Sequence, residues 1–317
     1  MPPRPALTIC TVSYESAGWL RLNLDLVRRL NPDSSVRWLV AENSPSDSAA
    51  RLGRREPGFE VFEGAARENR LYASASYHHA AGLDIIVRQA DTRYLLVLDP
   101  DFFIIRRNWI QDMITHMHTG NVAILGAPWH PKRTAKFRYF PCAHCTFVDL
   151  HKIHKETLDF SPDYESDPGW INGKKNRLSA ARSLIARLTL AKRRRIGTAR
   201  DTGWRLFRRY ANDPSLKVEC LQPVFQPRPG RRLVDRFFPD RLSLTPKRRG
   251  YFSESGFAAH GLPDLQSNGW EEFLWNGMPF GFHVRCYPIR DRKSGLPLDA
   301  HYGAVKDLLE RIQAGSW

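Results

Sequence analysis

Short apolar, β-branched runs alternate with amphipathic stretches through the first 126 residues, and that alternation leaves few architectures open. Residues 7–12, 36–41, 59–62, 94–98 and 122–125 read as strands. Between the first two, Trp19, Leu20, Leu24, Val27 and Leu30 recur at helical spacing until Asn31-Pro32-Asp33 stops the helix. Residues 73–90 read as a second helix with Tyr77, Ala81 and Ile85 on one face, and residues 109–118 as a third. Strands alternating with helices predict an α/β fold, a mainly parallel sheet flanked by helices. Ligands of such sheets sit beyond the carboxyl ends of the strands. The positions of interest are therefore 13–15, 42–44 and 99–101.

Position 99–101 is Asp99-Pro100-Asp101, delivered by the apolar run Tyr94-Leu-Leu-Val-Leu98. Residues i and i+2 of an extended segment project to one side. Two carboxylates so placed suit a hard divalent cation, Mg²⁺ or Mn²⁺, with sites left for a diphosphate. Such an ion neutralises charge building on a leaving nucleotide. The plainer alternative is a turn that ends a strand. His78 and His79, early in the second helix, read as packed or capping residues.

The remainder, residues 127–317, is less regular and rich in Pro, Gly, Trp and Arg; it is expected to form the acceptor side of one continuous catalytic domain with 1–126. Residues 140–148 read as a strand and 204–210 as an aromatic, basic helix. Cys142-Ala-His-Cys145 has the look of half a zinc site, but Cys10, Cys220 and Cys286 are scattered singly and a structural zinc needs four N or S ligands. Five cysteines and no export-type leader point to free thiols and a cytoplasmic setting. No run reaches the ~18 apolar residues of a membrane-spanning helix.

Forty-eight Lys and Arg against 33 Asp and Glu give a net charge of +15, which favours polyanionic partners. The excess concentrates in 177–249 without an identifiable recognition fold, so no specific nucleic acid is expected. Within it, Leu178, Ala181, Leu184, Ile185 and Leu188 form an apolar stripe flanked by Arg177, Arg182 and Arg187 and closed by Lys192-Arg-Arg-Arg195. A basic amphipathic helix of this kind either packs on the catalytic domain or lies on an anionic membrane surface.

Three segments together, Thr8-Ile-Cys-Thr-Val-Ser-Tyr14, Trp38-Leu-Val-Ala-Glu-Asn-Ser44 and Tyr94-Leu-Leu-Val-Leu-Asp-Pro-Asp101, resemble the opening of a GT-A glycosyltransferase of the family 2 type over roughly the first 150 residues. The resemblance implies a GT-A fold, a nucleotide-sugar donor, and a glycan or lipid-linked acceptor at the inner membrane face, in synthesis of cell-surface polysaccharide or glycoconjugate. It implies that Ser13 and Tyr14 line the nucleotide. Glu42 stands where the family usually has an aspartate contacting base or ribose, and Asn69 resembles the asparagine preceding the helix that leads to the metal strand. Asp99 and Asp101 would hold Mn²⁺ or Mg²⁺ against the diphosphate, joined by a C-terminal histidine: His283, or alternatively His260. Arg285 has the fork shape that grips a diphosphate. Asp201 resembles the general base, the carboxylate that takes the acceptor hydroxyl's proton; its bland alternative is a helix cap. Glu271 or Glu272, beside Trp270, is the other candidate for the base. A nucleotidyltransferase is the competing enzyme class, but it calls for a Gly-rich, basic phosphate loop, and Ser13-Tyr-Glu-Ser-Ala-Gly18 has no Lys or Arg before Arg21. A non-enzymatic nucleic-acid binder is the competing class outside enzymes.

Overall fold

The computed structural model describes residues 5–44, 53, 56–64, 75–133, 136–163, 170–171, 174–175, 200–227, 246–285 and 298–314. In chain order the elements are β1 (Leu7–Ser13), α1 (Ala17–Leu30), β2 (Val36–Glu42), β3 (Phe59–Glu63), α2 (Ala75–Val87), β4 (Tyr94–Leu98), β5 (Phe102–Ile104), α3 (Trp109–Thr119), β6 (Val122–Pro128) and β7 (Pro141–Asp149). They continue with a two-residue ribbon, β8 (Trp170–Ile171) and β9 (Lys174–Lys175), then α4 (Trp204–Tyr210), β10 (Lys217–Cys220), β11 (Gln222–Pro223), β12 (Glu271–Trp275), β13 (Met278–His283) and α5 (Leu298–Gln313). Among the described residues, each strand and helix expected from the sequence is present, with ends moved by a few residues. Segment 177–195 and Asn69 lie outside the described residues.

The main sheet has seven strands in the order β10-β6-β7-β4-β1-β2-β3. β1 pairs in parallel with β2 and β4, β2 with β3, and β6 with β10. β7 runs antiparallel between β4 and β6, so a strand from beyond residue 126 completes the sheet of the first half. Alternation along each strand sends side chains to two separate cores. Leu7, Ile9, Trp38, Val40, Leu96 and Leu98 meet α1 and α3 on one face. Cys10, Val12, Leu39, Leu95 and Val97 meet α2 and α4 on the other. Helices on both faces make this the mainly parallel, helix-flanked sheet that the alternation predicts.

A second, antiparallel sheet runs β11-β12-β13-β5. Phe102, Phe103, Phe273, Phe280 and Phe282 are fully buried in it. Burying one phenylalanine contributes about 2–3 kcal/mol, so this aromatic layer is enough to hold four short strands. Trp19, Leu26 and Leu30 of α1 and Val305, Leu308 and Leu309 of α5 close its other side. The link between the sheets is the segment that leaves β4 and enters β5, Asp99-Pro100-Asp101. It is a turn, with the Phe102 N–H donating to the Asp99 carbonyl at 3.1 Å. The two carboxylates converge because Pro100 bends the chain, which corrects the extended i, i+2 projection.

Candidate active site

Backbone contacts from three directions fix the turn. The Asp99 N–H donates to the His144 carbonyl of β7 at 3.0 Å, and Val284 N–H donates to the Asp101 carbonyl at 3.1 Å. From α1, Asn23 Nδ2 donates to the carbonyls of Pro100 and Phe102 at 3.0 and 2.9 Å. Asn23 is fully buried in the apolar stripe of its helix, one position before Leu24. A polar residue at i+3 of such a stripe is the signal that marks it.

Asp99, Asp101 and His283 each offer a ligand atom, all within 4.8 Å of one another. His283 ends β13, opposite Phe102 in the register. Its Nε2 lies 3.1 Å from Asp101 Oδ1 and 3.7 Å from Asp99 Oδ2. Two carboxylates and an imidazole nitrogen are a donor set for a divalent cation such as Mn²⁺. His260 is exposed in a short 3-10 turn and takes no part in this cluster. His79, read from sequence as a packing residue, places Nε2 3.3 Å from Asp99 Oδ1. Burial opposes its protonation, but the Asp99 hydrogen bond and the charges of Asp99, Asp201 and Asp101 win and raise its pKa. Asp99 responds in kind: burial would raise it, and His79, His283 and Arg285 bring it below its ordinary range.

The neighbouring strand ends carry the expected polar pair. Ser13 ends β1 and Glu42 ends β2, directly paired in register. Ser13 Oγ donates to Glu42 Oε2 at 3.0 Å, while Oε1 accepts from the backbone N–H and hydroxyl of Ser44 at 3.0 and 2.6 Å. Tyr14 is half-buried in the turn that follows, its N–H directed to Ser16 Oγ.

Asp201 reaches the same edge from the loop before α4. It is not the cap of that helix, a place taken by Gly203. Its carboxylate accepts from Lys136 Nζ, Ser76 Oγ and the Thr202 N–H. Burial would raise its pKa, but Lys136, Ser76 and the Thr202 amide take it down to about 2.

The two glutamates of β12 part company. Glu272 points away and accepts the backbone N–H of Phe257 and Leu265 at 2.9 and 2.8 Å, a purely structural bond set. Glu271, also fully buried, faces the cluster. Arg133 and Arg285 each donate to it through Nε, at 2.8 and 2.9 Å. Those cations, with His130 and Lys132, overcome burial and hold its carboxyl well below the usual range. Arg285 lies over the Trp129 ring at 4.7 Å and has a left-handed backbone, φ 59°. Its guanidinium is thus committed first to Glu271. Lys136 also sits over Trp129, at 4.3 Å. The Cys142-Ala-His-Cys145 stretch lies in β7, wholly buried, with the His144 ring stacked on Phe102 and its Nδ1 2.5 Å from Cys142 Sγ.

No family model and no curated protein matches this sequence. Several solved structures are similar to part of it. The mannosyltransferase PcManGT from Pyrobaculum calidifontis, in complex with GDP-Man and Mn²⁺, is 14% identical over 48% of this chain and 48% of that one, TM-score 0.35. S. aureus TarS 1-349 in complex with UDP-GlcNAc is 11% identical over 51% and 50%, TM-score 0.36. The galactosyltransferase LgtC, in complex with donor and acceptor sugar analogues, is 16% identical over 46% and 58%, TM-score 0.33. The chain thus spans about half the length of these structures.

Proposed function

We propose that this protein transfers a sugar from a nucleotide-sugar donor to a hydroxyl acceptor with the help of a divalent cation, Mn²⁺ or Mg²⁺. The observation that carries the reading is the convergence of Asp99, Asp101 and His283 at the carboxyl edge of the parallel strands, beside the Ser13–Glu42 pair. When bound there, the cation offsets the negative charge that develops on the departing nucleoside diphosphate.

The chain's own residues divide the remaining work. Glu42, held at both oxygens, is a fixed acceptor for nucleotide hydroxyl or base N–H groups, with Ser13 and Tyr14 beside it. Asp201 is the general base. Lys136 and Ser76 hold it ionised, and an acceptor hydroxyl entering in place of the Ser76 bond meets a carboxylate whose basicity rises as that stabilising bond is given up. Glu271 is sealed from solvent with an arginine on each oxygen, whereas the Asp201 carboxylate is partly exposed, which favours Asp201 over it as the base. An acceptor that is a glycan or a lipid-linked glycan, and peripheral attachment at an anionic membrane face, rest on the family resemblance and on the basic stripe of 177–195. Among the described residues no helix is long and apolar enough to cross a membrane.

The test of activity is Mn²⁺-dependent release of nucleoside diphosphate from a panel of nucleotide sugars, read with and without glycan acceptors. Release stimulated by an acceptor and abolished by a chelator is the expected result. No release from any donor under any condition would contradict the reading.

A further inference from the structure

Helix α1 and its C-cap bury two asparagines, Asn23 and Asn31, and the two are satisfied differently. Asn31 uses both ends of its amide: Oδ1 accepts from the Ile110 N–H at 3.0 Å, and Nδ2 donates to the Val27 carbonyl at 2.9 Å. Asn23 directs Nδ2 alone to the turn after β4, at 3.0 Å to the Pro100 carbonyl and 2.9 Å to that of Phe102. Its Oδ1 is buried and, among the described residues, has no hydrogen-bond partner. A primary amide has two N–H donors, and a flipped one would set its oxygen against two carbonyl oxygens, so the orientation is forced. The two carbonyls lie on either side of Asp101. The Asp101 carbonyl itself accepts from the Val284 N–H, and Asp99 is tied to Phe102 and His144. Those other ties run from backbone to backbone, whereas the Asn23 pair comes from a side chain and can be removed by substitution. Burying an amide oxygen without a partner is unfavourable, and the neighbours Leu20, Leu24 and Val27 show that an apolar residue suits this face of α1.

We infer that Asn23 is a positioning residue for the cation: its two-pronged bond fixes the backbone on both sides of Asp101 and holds that carboxylate where it meets Asp99 and His283. The inference rests on the proposed Asp99–Asp101–His283 metal site. The turn links β4 to β5 and belongs to neither strand, so its geometry depends on such outside support. Ligand groups work when held to within about 0.5 Å of the productive arrangement by partners outside the ligand set. The unpaired Oδ1 is then the cost of keeping both donors on the turn, a cost that Asn31, which anchors α3 through Ile110, does not bear.

Calorimetric titration of Mn²⁺ into the full chain, with melting temperatures beside it, tests this on the wild type, Asn23→Leu, Asn31→Ala and Asp101→Asn. Asn23→Leu keeps the size of the side chain but has no donors, and is expected to weaken Mn²⁺ binding by about 10–100-fold, the scale for partners that orient metal ligands. Asn31→Ala removes the bonds to Ile110 and Val27, and is expected to lower the melting temperature and leave Mn²⁺ affinity at the wild-type level. Equal weakening of Mn²⁺ binding by both variants would mean general loosening of α1 and overturns the inference. Asp101→Asn separates the two readings. If it abolishes Mn²⁺ binding while Asn23→Leu keeps wild-type affinity, the role of Asn23 falls and the metal site stands. If Asp101→Asn binds Mn²⁺ as the wild type does, or the wild type binds none, the metal site falls and this inference with it. Should Asn23→Leu fail to fold, Asn23→Ala, which removes the same donors without adding a branched side chain, carries the same expectation.

Discussion

The two ends of the main sheet use charge in opposite ways. At the amino end of β4, Arg93 donates to both oxygens of the buried Asp149 at 3.1 and 2.9 Å. Nearby, Arg37 makes the same two-pronged bond to Glu60 at 2.6 and 3.0 Å. Each carboxylate there faces an arginine, Arg37 serving Asp91 as well as Glu60, and burial of Asp149 is outweighed by Arg93, which lowers its pKa. At the carboxyl end, Asp99 and Asp101 crowd within reach of one another and share the imidazoles of His79 and His283. Like charges brought together are costly in the folded protein, and the cost is recovered when a cation enters. On the proposed reading, the amino end serves stability and the carboxyl end a ligand.

The largest effect is expected from Asp101→Asn. Turnover should fall on the order of 10²–10³-fold, the scale for loss of one well-placed electrostatic stabiliser. The melting temperature should change little, because the relieved repulsion with Asp99 is offset by the weakened contact with His283. A large fall in melting temperature would erase the distinction between the two ends.

Asp201→Asn comes next, with turnover lowered by about 100-fold. Mn²⁺-dependent donor binding, followed by calorimetry, should hardly change, since this carboxylate acts on the acceptor. Collapse of donor binding would move Asp201 into the donor site.

At the amino end the expectation reverses. Asp149→Asn should cost about 1.5–3 kcal/mol in denaturant unfolding, the scale of a hydrogen bond to a charged group. Specific activity of the folded fraction should remain at the wild-type level.

The smallest effect concerns Asp84 on α2, a carboxylate at neither end. Burial, reinforced by Asp159, pushes its pKa up to about 6. Its folded pKa lies above the unfolded one, so the native state binds the proton more tightly and stability declines as pH rises from about 4 to 6. Asp84→Asn should therefore raise the melting temperature modestly at pH 8, and the gain should vanish below about pH 4. An equal gain at both pH values would mean that ionisation is not its cause.

What the sequence disclosed follows from locality. β4 is a continuous apolar run and β1, β2 and β7 are largely apolar or β-branched, and their positions are readable because they are buried on both faces. Asp99, Asp101, Ser13 and Glu42 were readable as strand-end residues for the same reason. β5 was not, because three residues that directly follow a Pro turn carry no period of their own. β12 was harder still, since it begins with two glutamates, and only the tertiary structure supplies the arginines and backbone amides that let them be buried. His79 and Asn23 act across packed elements, from helices to the turn after β4. The choice of His283 over His260 is likewise a matter of sheet register, as β13 pairs with β5 to bring its last residue opposite Phe102.

The central claim is that the carboxyl-end cluster holds a divalent cation against a nucleotide sugar, and thermal unfolding with paired ligands tests it most directly. Wild-type protein and Asp101→Asn would be melted with Mn²⁺ or a chelator, each against a panel of nucleotide sugars. The account predicts that at least one donor stabilises the wild type only when Mn²⁺ is present, by about 2.7 kcal/mol at a hundredfold excess over Kd, and that Asp101→Asn shows no such gain. A donor that stabilises both proteins equally with Mn²⁺ and with chelator, or a complete panel that stabilises neither, would contradict it.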